Sequence, residues 1–323
     1  MDRWTWHGGG LAAARAQYGD GTAPWLDLST GINPHGWPVP DLPIDWTRLP
    51  DESDLKALEQ AAAEHFGADP NHVCALPGTE IGLRLMGDLI PGPAHHIRPS
   101  YRTHGDMLPG SMPVDDPAQA AGATLILANP NNPDGRLYAP AQLLPLIDQR
   151  GADGWLLIDE AFADTHPGHS MAGEVSEGRR LLIFRSFGKF FGLAGVRLGF
   201  LIGPPSFLAR VRHRLGAWPL SAAAIAIGTA AYLDRSWIEA MRARLDAEAA
   251  ALDTLLARIG YRATGACPLF RLLEVEDGPT LFDRLARRAI LTRPFAENPR
   301  WLRIGLPTDE AAADRLEAAL RDG

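Results

Sequence analysis

The sequence predicts an α/β fold, with a central, mostly parallel sheet flanked by helices and a smaller α+β domain C-terminal to it. Three observations lead there. Short apolar runs at Val73 to Leu76, Thr124 to Ala128, Trp155 to Ile158, Leu181 to Phe184 and Leu198 to Ile202 read as buried strands. Helical spacings fall between them, an alternation that favours parallel strands. Several runs end in polar residues, and in such sheets chemistry collects beyond the carboxyl ends of the strands.

Taken in order, residues 1–48 are rich in Gly, Pro and Trp, show little periodicity, and are expected as an N-terminal arm packing with the small domain. The arm holds two glycine-bearing pieces, His7-Gly8-Gly9-Gly10 and Ser29-Thr30-Gly31-Ile32-Asn33-Pro34. Their glycines let backbone amides approach an anion, to which His7 and Asn33 could add side-chain donors. The large domain is expected over 49–234. It opens with a helix from Asp54 to Phe66, for which Ser53 is the expected N-cap. The strand at Val73 to Leu76 runs into Pro77-Gly78-Thr79-Glu80 and an amphipathic segment through Leu83 and Met86. That arrangement points free N–H groups and a positive dipole end at one spot. Ala222 to Leu233 reads as a buried helix. From Ile238 to Ile259 apolar residues recur three or four apart, marking a long amphipathic helix at the start of the small domain, 235–323. There follow a strand at Phe270 to Val275, a helix at Leu281 to Ala289, a strand at Trp301 to Ile304 and a last helix after Thr308.

Composition excludes several classes. A formal net charge of -8 in 323 residues argues against a nucleic-acid groove. The cluster Arg210, Arg212, His213, Arg214 is expected to be a solvated helix face. The two cysteines, Cys74 and Cys267, have no partners at metal-ligand spacing, so neither a disulfide framework nor a metal site is expected, and a reducing cytoplasm fits. Residues 1–7 lack the pattern of a signal peptide, and the longest small-apolar run is shorter than the ~20 residues that span a bilayer.

The most informative stretch is Ser186-Phe187-Gly188-Lys189-Phe190-Phe191-Gly192-Leu193-Ala194-Gly195-Val196-Arg197. A lysine held among aromatic rings can have a depressed pKa and condense with an aldehyde, while Ser186 and Arg197 supply a hydroxyl and a planar cation suited to a phosphate ester. Aldehyde and phosphate together describe pyridoxal 5′-phosphate. Serine three residues before the lysine and arginine eight after it resemble the lysine signature of the fold type I, class I/II aminotransferases. So does the succession along the chain: Gly78-Thr79-Glu80, Pro99-Ser100-Tyr101, Asn129-Pro130-Asn131-Asn132-Pro133-Asp134-Gly135, Asp159-Glu160-Ala161, the lysine stretch, and Trp301-Leu302-Arg303-Ile304-Gly305.

This resemblance implies the transferase fold of that family, a homodimer, and roles residue by residue. Gly78, Thr79 and Glu80, with Ser186 and Arg197, match the phosphate-binding positions. Tyr101 matches the ring stacked on the pyridine, Asn132 the amide on the phenolic oxygen, Asp159 the carboxylate at the ring nitrogen, and Lys189 the lysine that carries the cofactor. Arg303 matches the arginine that grips a substrate carboxylate, for which a forked guanidinium is suited. Three positions depart from the pattern: Phe162 stands where many relatives have a tyrosine, Gly188 where many have a serine, and Leu49 where some have a tyrosine reaching the neighbouring subunit. The opening pieces, with His7, Gly8, Gly9 and Asn33, resemble the threonine-phosphate decarboxylases of cobalamin biosynthesis. The alternative is the histidinol-phosphate aminotransferases. Either implies a small phosphorylated amine as substrate.

Overall fold

The computed structural model describes residues 2–20 and 23–321. Its strands are, in chain order, β1 (Leu26–Asp27), β2 (Val73–Leu76), β3 (Ala94–Ile97), β4 (Met112–Val114), β5 (Thr124–Ala128), β6 (Leu156–Asp159), β7 (Leu181–Ser186), β8 (Gly199–Ile202), β9 (Ala263–Thr264), β10 (Phe270–Glu274), β11 (Ile290–Leu291), β12 (Arg293–Pro294) and β13 (Trp301–Gly305). By contacts the chain divides into two units. One comprises Met1–His35, Pro133–Gly135 and Ala240–Gly323; the other comprises Gly36–Asn132 and Arg136–Glu239. The last boundary, between Glu239 and Ala240, falls within the helix Arg235–Arg258.

In the larger unit a seven-stranded sheet has the order β2-β8-β7-β6-β5-β3-β4. β4, β3, β5, β6 and β7 pair in parallel, and β8 runs antiparallel to both of its neighbours. Ala128 of β5 lies opposite Asp159 of β6, which lies opposite Phe184 of β7. Parallel pairing in this register brings the polar carboxyl ends of three central strands side by side. These strands are buried along almost their whole length, as their continuous apolar runs require. Leu157, Leu182, Phe184 and Leu201 pack with Leu83 and Met86 of the helix Thr79–Leu89 and with Val211 of the helix Pro205–Leu215.

Two local expectations are corrected. The helix Glu52–Phe66 begins at Asp51, whose carboxylate accepts the Ser53 N–H at 2.9 Å; Ser53 sits inside the first turn. Either residue has a capping oxygen, and the aspartate lies one position before the first helical residue. The cluster on Pro205–Leu215 is more than a solvated face. Arg212 grips Glu59 through two bonds of 2.8 and 3.0 Å and also donates to the Val73 carbonyl, while Arg210 donates to the Leu89 carbonyl. Trp37 also belongs to this unit: its N–H donates to the Phe191 carbonyl and its indole to Asp234.

In the smaller unit β12, β13, β10 and β9 form an antiparallel sheet in that order, and β1 pairs in parallel with β11. The helix Gly278–Arg287 buries Leu281, Phe282 and Leu285, and Asp277 caps it by accepting the Thr280 N–H. Two short helices, Asp2–Trp6 and Leu11–Tyr18, occupy a stretch expected to be irregular. Neither is long enough to display a helical repeat in sequence, and packing of Trp4 on Phe282, 5.5 Å between ring centroids, supplies what propensity does not.

Immediately behind the strand ends of the larger unit lies a buried ion cluster. Arg185 of β7 donates to Glu160 at 3.0 Å and to Asp164, and Asp164 also bonds His65 at 2.8 Å. Ser170 and the Met171 N–H satisfy Glu160 further. Burial presses the Asp164 carboxyl upward, but Arg185 and then His65 outweigh it and hold the group well below the usual carboxylate range. Removing the cation leaves two buried carboxylates facing each other. Arg185→Met should therefore lower stability by about 3–5 kcal/mol, read as a shift in the denaturant midpoint.

Candidate functional site

The residues singled out from sequence divide between the two units, and each group is coherent within its own. In the larger unit the helix Thr79–Leu89 starts at Gly78, which has φ 90° and provides no side-chain cap. A side chain there is barred by more than backbone strain. A Cβ on Gly78 would lie 2.8 Å from Nη2 of Arg197, so the guanidinium covers the turn. Arg197 itself adopts the left-handed conformation, φ 57°. A Cβ on Gly199 would lie 2.5 Å from the Thr79 nitrogen, so β8 passes against the same turn from the other side. The Thr79 hydroxyl donates to the Arg185 carbonyl at 2.8 Å, which anchors the turn to β7. Amides of a helix start under an arginine are suited to a phosphate ester.

Ser186 ends β7, and Lys189 stands in a one-turn helix, Phe187–Phe190. The turn contains Gly188 and is followed closely by Gly192, which has φ 66°, but Phe187, Phe190 and Phe191 are fully buried and clamp it. Lys189 Nζ lies 5.8 Å from the ring centroid of Phe162. The phenyl that replaces a tyrosine thus offers the amine an aromatic face and no hydroxyl. At Gly188 a Cβ would lie 2.6 Å from the Ala194 Cα, so the following turn fills the space that a serine would need. Leu49 is exposed.

Asp159 ends β6 and is 6% exposed. One oxygen accepts the Ala161 N–H at 3.1 Å; the other bonds Nε2 of His104 at 2.9 Å. His104 is fully buried, and its Nδ1 has no hydrogen-bond partner among the described residues. Tyr101 packs edge-on against it, with centroids 5.7 Å apart. His104 escaped the sequence reading. Its available signal was its position three residues after Tyr101, a spacing that shares one face of the short helix Arg102–Asp106. Asn132 follows β5 in a loop that Asn129 and Asn131 hold in place: Asn129 donates to the carbonyls of Tyr138 and His169, and Asn131 to that of Pro99. Asn132 is itself buried.

The Glu80 side chain is engaged within the protein. Its carboxylate accepts from the Tyr101 hydroxyl at 3.1 Å, from Thr103 at 3.0 Å and from Arg84 at 3.0 Å. Burial, then Glu80, pushes the Tyr101 phenol above its ordinary pKa, keeping it a donor. The side chain therefore fixes the Tyr101 ring, leaving the backbone N–H of this first helical turn for an anion.

In the smaller unit Arg303 lies on β13, 2% exposed, directly opposite Arg293 of β12. Its Nη2 donates to the Ser29 carbonyl at 2.9 Å, and its guanidinium carbon lies 4.9 Å from the Phe270 ring centroid. Burial, then Arg293, drives the Arg303 pKa well down. A guanidinium does not give up its proton in practice, so this pressure is a preference for a nearby anion. His7 is exposed, with Nδ1 bonded to the Gly8 carbonyl; Gly9 donates its N–H to Ser29 Oγ at 2.7 Å. Asn33 is buried, and its side-chain oxygen accepts the His35 N–H at 2.9 Å, shaping the turn in which it sits.

A buried carboxylate beside an imidazole, a lysine on the neighbouring strand end and a cationic helix start fit pyridoxal 5′-phosphate by the chemistry of the donors present. Asp159 suits the ring nitrogen, Lys189 the aldehyde, Asn132 the phenolic oxygen, Tyr101 the ring face, and Gly78, Thr79, Ser186 and Arg197 the phosphate. The chain belongs to the aminotransferase class I and II family, whose profile matches residues 115–320. Over 97% of its length it is 40% identical to a threonine-phosphate decarboxylase of Sinorhizobium sp, 97% of which is covered. A threonine-phosphate decarboxylase of Pseudomonas aeruginosa is 41% identical, over 97% of this chain and 96% of that one. In fold it is similar to a histidinol-phosphate aminotransferase from Sinorhizobium meliloti, solved in complex with pyridoxal-5′-phosphate, with TM-score 0.81, 21% identity, and coverage of 97% and 94% of the two chains.

Because Glu80 acts on Tyr101, Glu80→Ala should weaken pyridoxal phosphate binding by about fivefold to tenfold, the worth of one lost positioning bond, in a fluorescence titration of the cofactor-free protein. Glu80→Gln retains an acceptor and should keep most of the affinity.

Proposed function

We propose that this protein removes the carboxyl group of L-threonine O-3-phosphate to give (R)-1-amino-2-propanol O-2-phosphate and carbon dioxide, with pyridoxal 5′-phosphate as cofactor. The observation that carries the reading is the 40% identity, over 97% of both chains, with a threonine-phosphate decarboxylase. The product's place is cobalamin biosynthesis. A cytoplasmic homodimer is part of the proposal. It is supported by two buried cysteines that are not joined and by exposed apolar side chains at Trp46, Leu49, Trp218 and Leu233. No helix among the described residues is long and apolar enough to cross a membrane.

When bound, the cofactor supplies a conjugated ring that accepts the electron pair released at the substrate α-carbon. Asp159, held by His104, keeps a proton on the ring nitrogen and so deepens that sink. Lys189 would hold the cofactor aldehyde, and its amine would be placed to return a proton to the substrate α-carbon. Arg303 grips the departing carboxylate, and His7, Asn33 and the Gly8 amide take the substrate phosphate, the Gly9 N–H being held by Ser29 Oγ. Which bond breaks depends on how the substrate is rotated, so these anion-binding groups, rather than those on the cofactor, select decarboxylation over transamination.

The test is a product assay with threonine phosphate. Carbon dioxide and the amino alcohol phosphate should appear in equal amounts without any 2-oxo acid. Formation of a keto acid with no carbon dioxide would reject the reading in favour of an aminotransferase. Lys189→Ala should lose the visible absorbance of the bound cofactor and cut turnover by about 10³-fold or more.

A further inference from the structure

Asp27 and Ser29 lie where the N-terminal glycine segment meets the strand of Arg303. Oδ1 of Asp27 accepts both the Ser29 N–H, at 2.9 Å, and the Ser29 hydroxyl, at 2.6 Å. With its proton committed to the carboxylate, Ser29 Oγ presents a lone pair to the Gly9 N–H at 2.7 Å, across twenty residues of chain. The carbonyl of the same serine accepts from Arg303 Nη2 at 2.9 Å. Gly8 passes directly over that carbonyl, where an added Cβ would lie 2.2 Å from the oxygen. Beneath, Leu28 N–H donates to the Leu291 carbonyl and Gly305 N–H to the Leu28 carbonyl, each at 2.7 Å, tying this stretch to β11 and β13. Ser29 is buried, 2% exposed, so these bonds compete little with water.

An aspartate that accepts from a serine two residues on is an ordinary turn-forming motif. A turn alone does not require the serine oxygen to reach Gly9, nor the serine carbonyl to be shared between Arg303 and a glycine crossing. We propose that Asp27 and Ser29 are positioning residues that fix the His7-Gly8-Gly9 segment against Arg303, so that the Gly8 amide, the His7 side chain and the guanidinium form one recognition surface for a substrate bearing both a carboxylate and a phosphate. The substrate part of this rests on the decarboxylase reading. The positioning part does not.

Two measurements on the holoenzyme test it. In Ser29→Ala, hydrogen exchange at the Gly9 amide of the substrate-free holoenzyme should accelerate about tenfold, since its acceptor is gone, while the core strands keep their protection. The KM for threonine phosphate should rise about tenfold, with kcat and cofactor affinity within about twofold of wild type. Ser29→Thr, which keeps the hydroxyl, should restore both. Unchanged exchange at Gly9 would overturn the proposal, as would a fall in kcat and melting temperature with KM unmoved, the pattern of a merely structural residue. If wild-type protein releases no carbon dioxide from threonine phosphate, the substrate reading fails, and Gly9 exchange alone decides the positioning role.

Discussion

A carboxylate buried at the end of a central strand needs hydrogen-bond partners in place of water. Asp159 has two, the Ala161 amide and the His104 imidazole, and much of the larger unit is arranged so that both hold. His104 can reach it because β3 and β5 are neighbours in the sheet and the short helix after β3 folds over the strand ends. Tyr101 is placed against His104, and Glu80 in turn fixes Tyr101, so a line of contacts joins the helix start at Thr79 to the end of β6. The helix start and the strand end are thereby held in one registration.

Directly behind this line, the residues adjacent in sequence make a second set of charged contacts. Glu160 follows Asp159, and Arg185 precedes Ser186, so each strand end sends one side chain toward the site and its neighbour into the Arg185, Glu160, Asp164 and His65 cluster. Alternation along a strand enforces that division. Isolated buried ions add little stability. Here their bonds tie β6 and β7 to the segment 164–171 and to the helix Glu52–Phe66, which limits how far the strand ends can separate.

Sequence revealed the parts of this arrangement that depend on local chemistry. Apolar runs located five sheet strands, and their polar endings marked Asp159 and Ser186, because a strand buried on both faces can become polar only where it leaves the sheet. The edge strand β4 and the mixed strand β3, with its two histidines, gave no such contrast. His104, Arg212 and the side chain of Glu80 were misjudged or missed for a common reason. Each acts on a residue distant in sequence, Asp159, Glu59 and Tyr101 respectively, and a charged or polar residue on a helix looks the same whether its partner is water or another segment. The Asp51 cap was off by two positions because Asp51 and Ser53 both carry capping oxygens, and only the backbone distinguishes them.

The tight contact between Gly188 and Ala194 has a bearing on how this branch could change. A single codon substitution that introduced a hydroxyl at position 188 would collide with main chain, not with a side chain able to turn aside. A serine there is therefore reachable only together with a rebuilt 193–196 turn. In a lineage that drifts one residue at a time, such a coupled requirement acts as a ratchet.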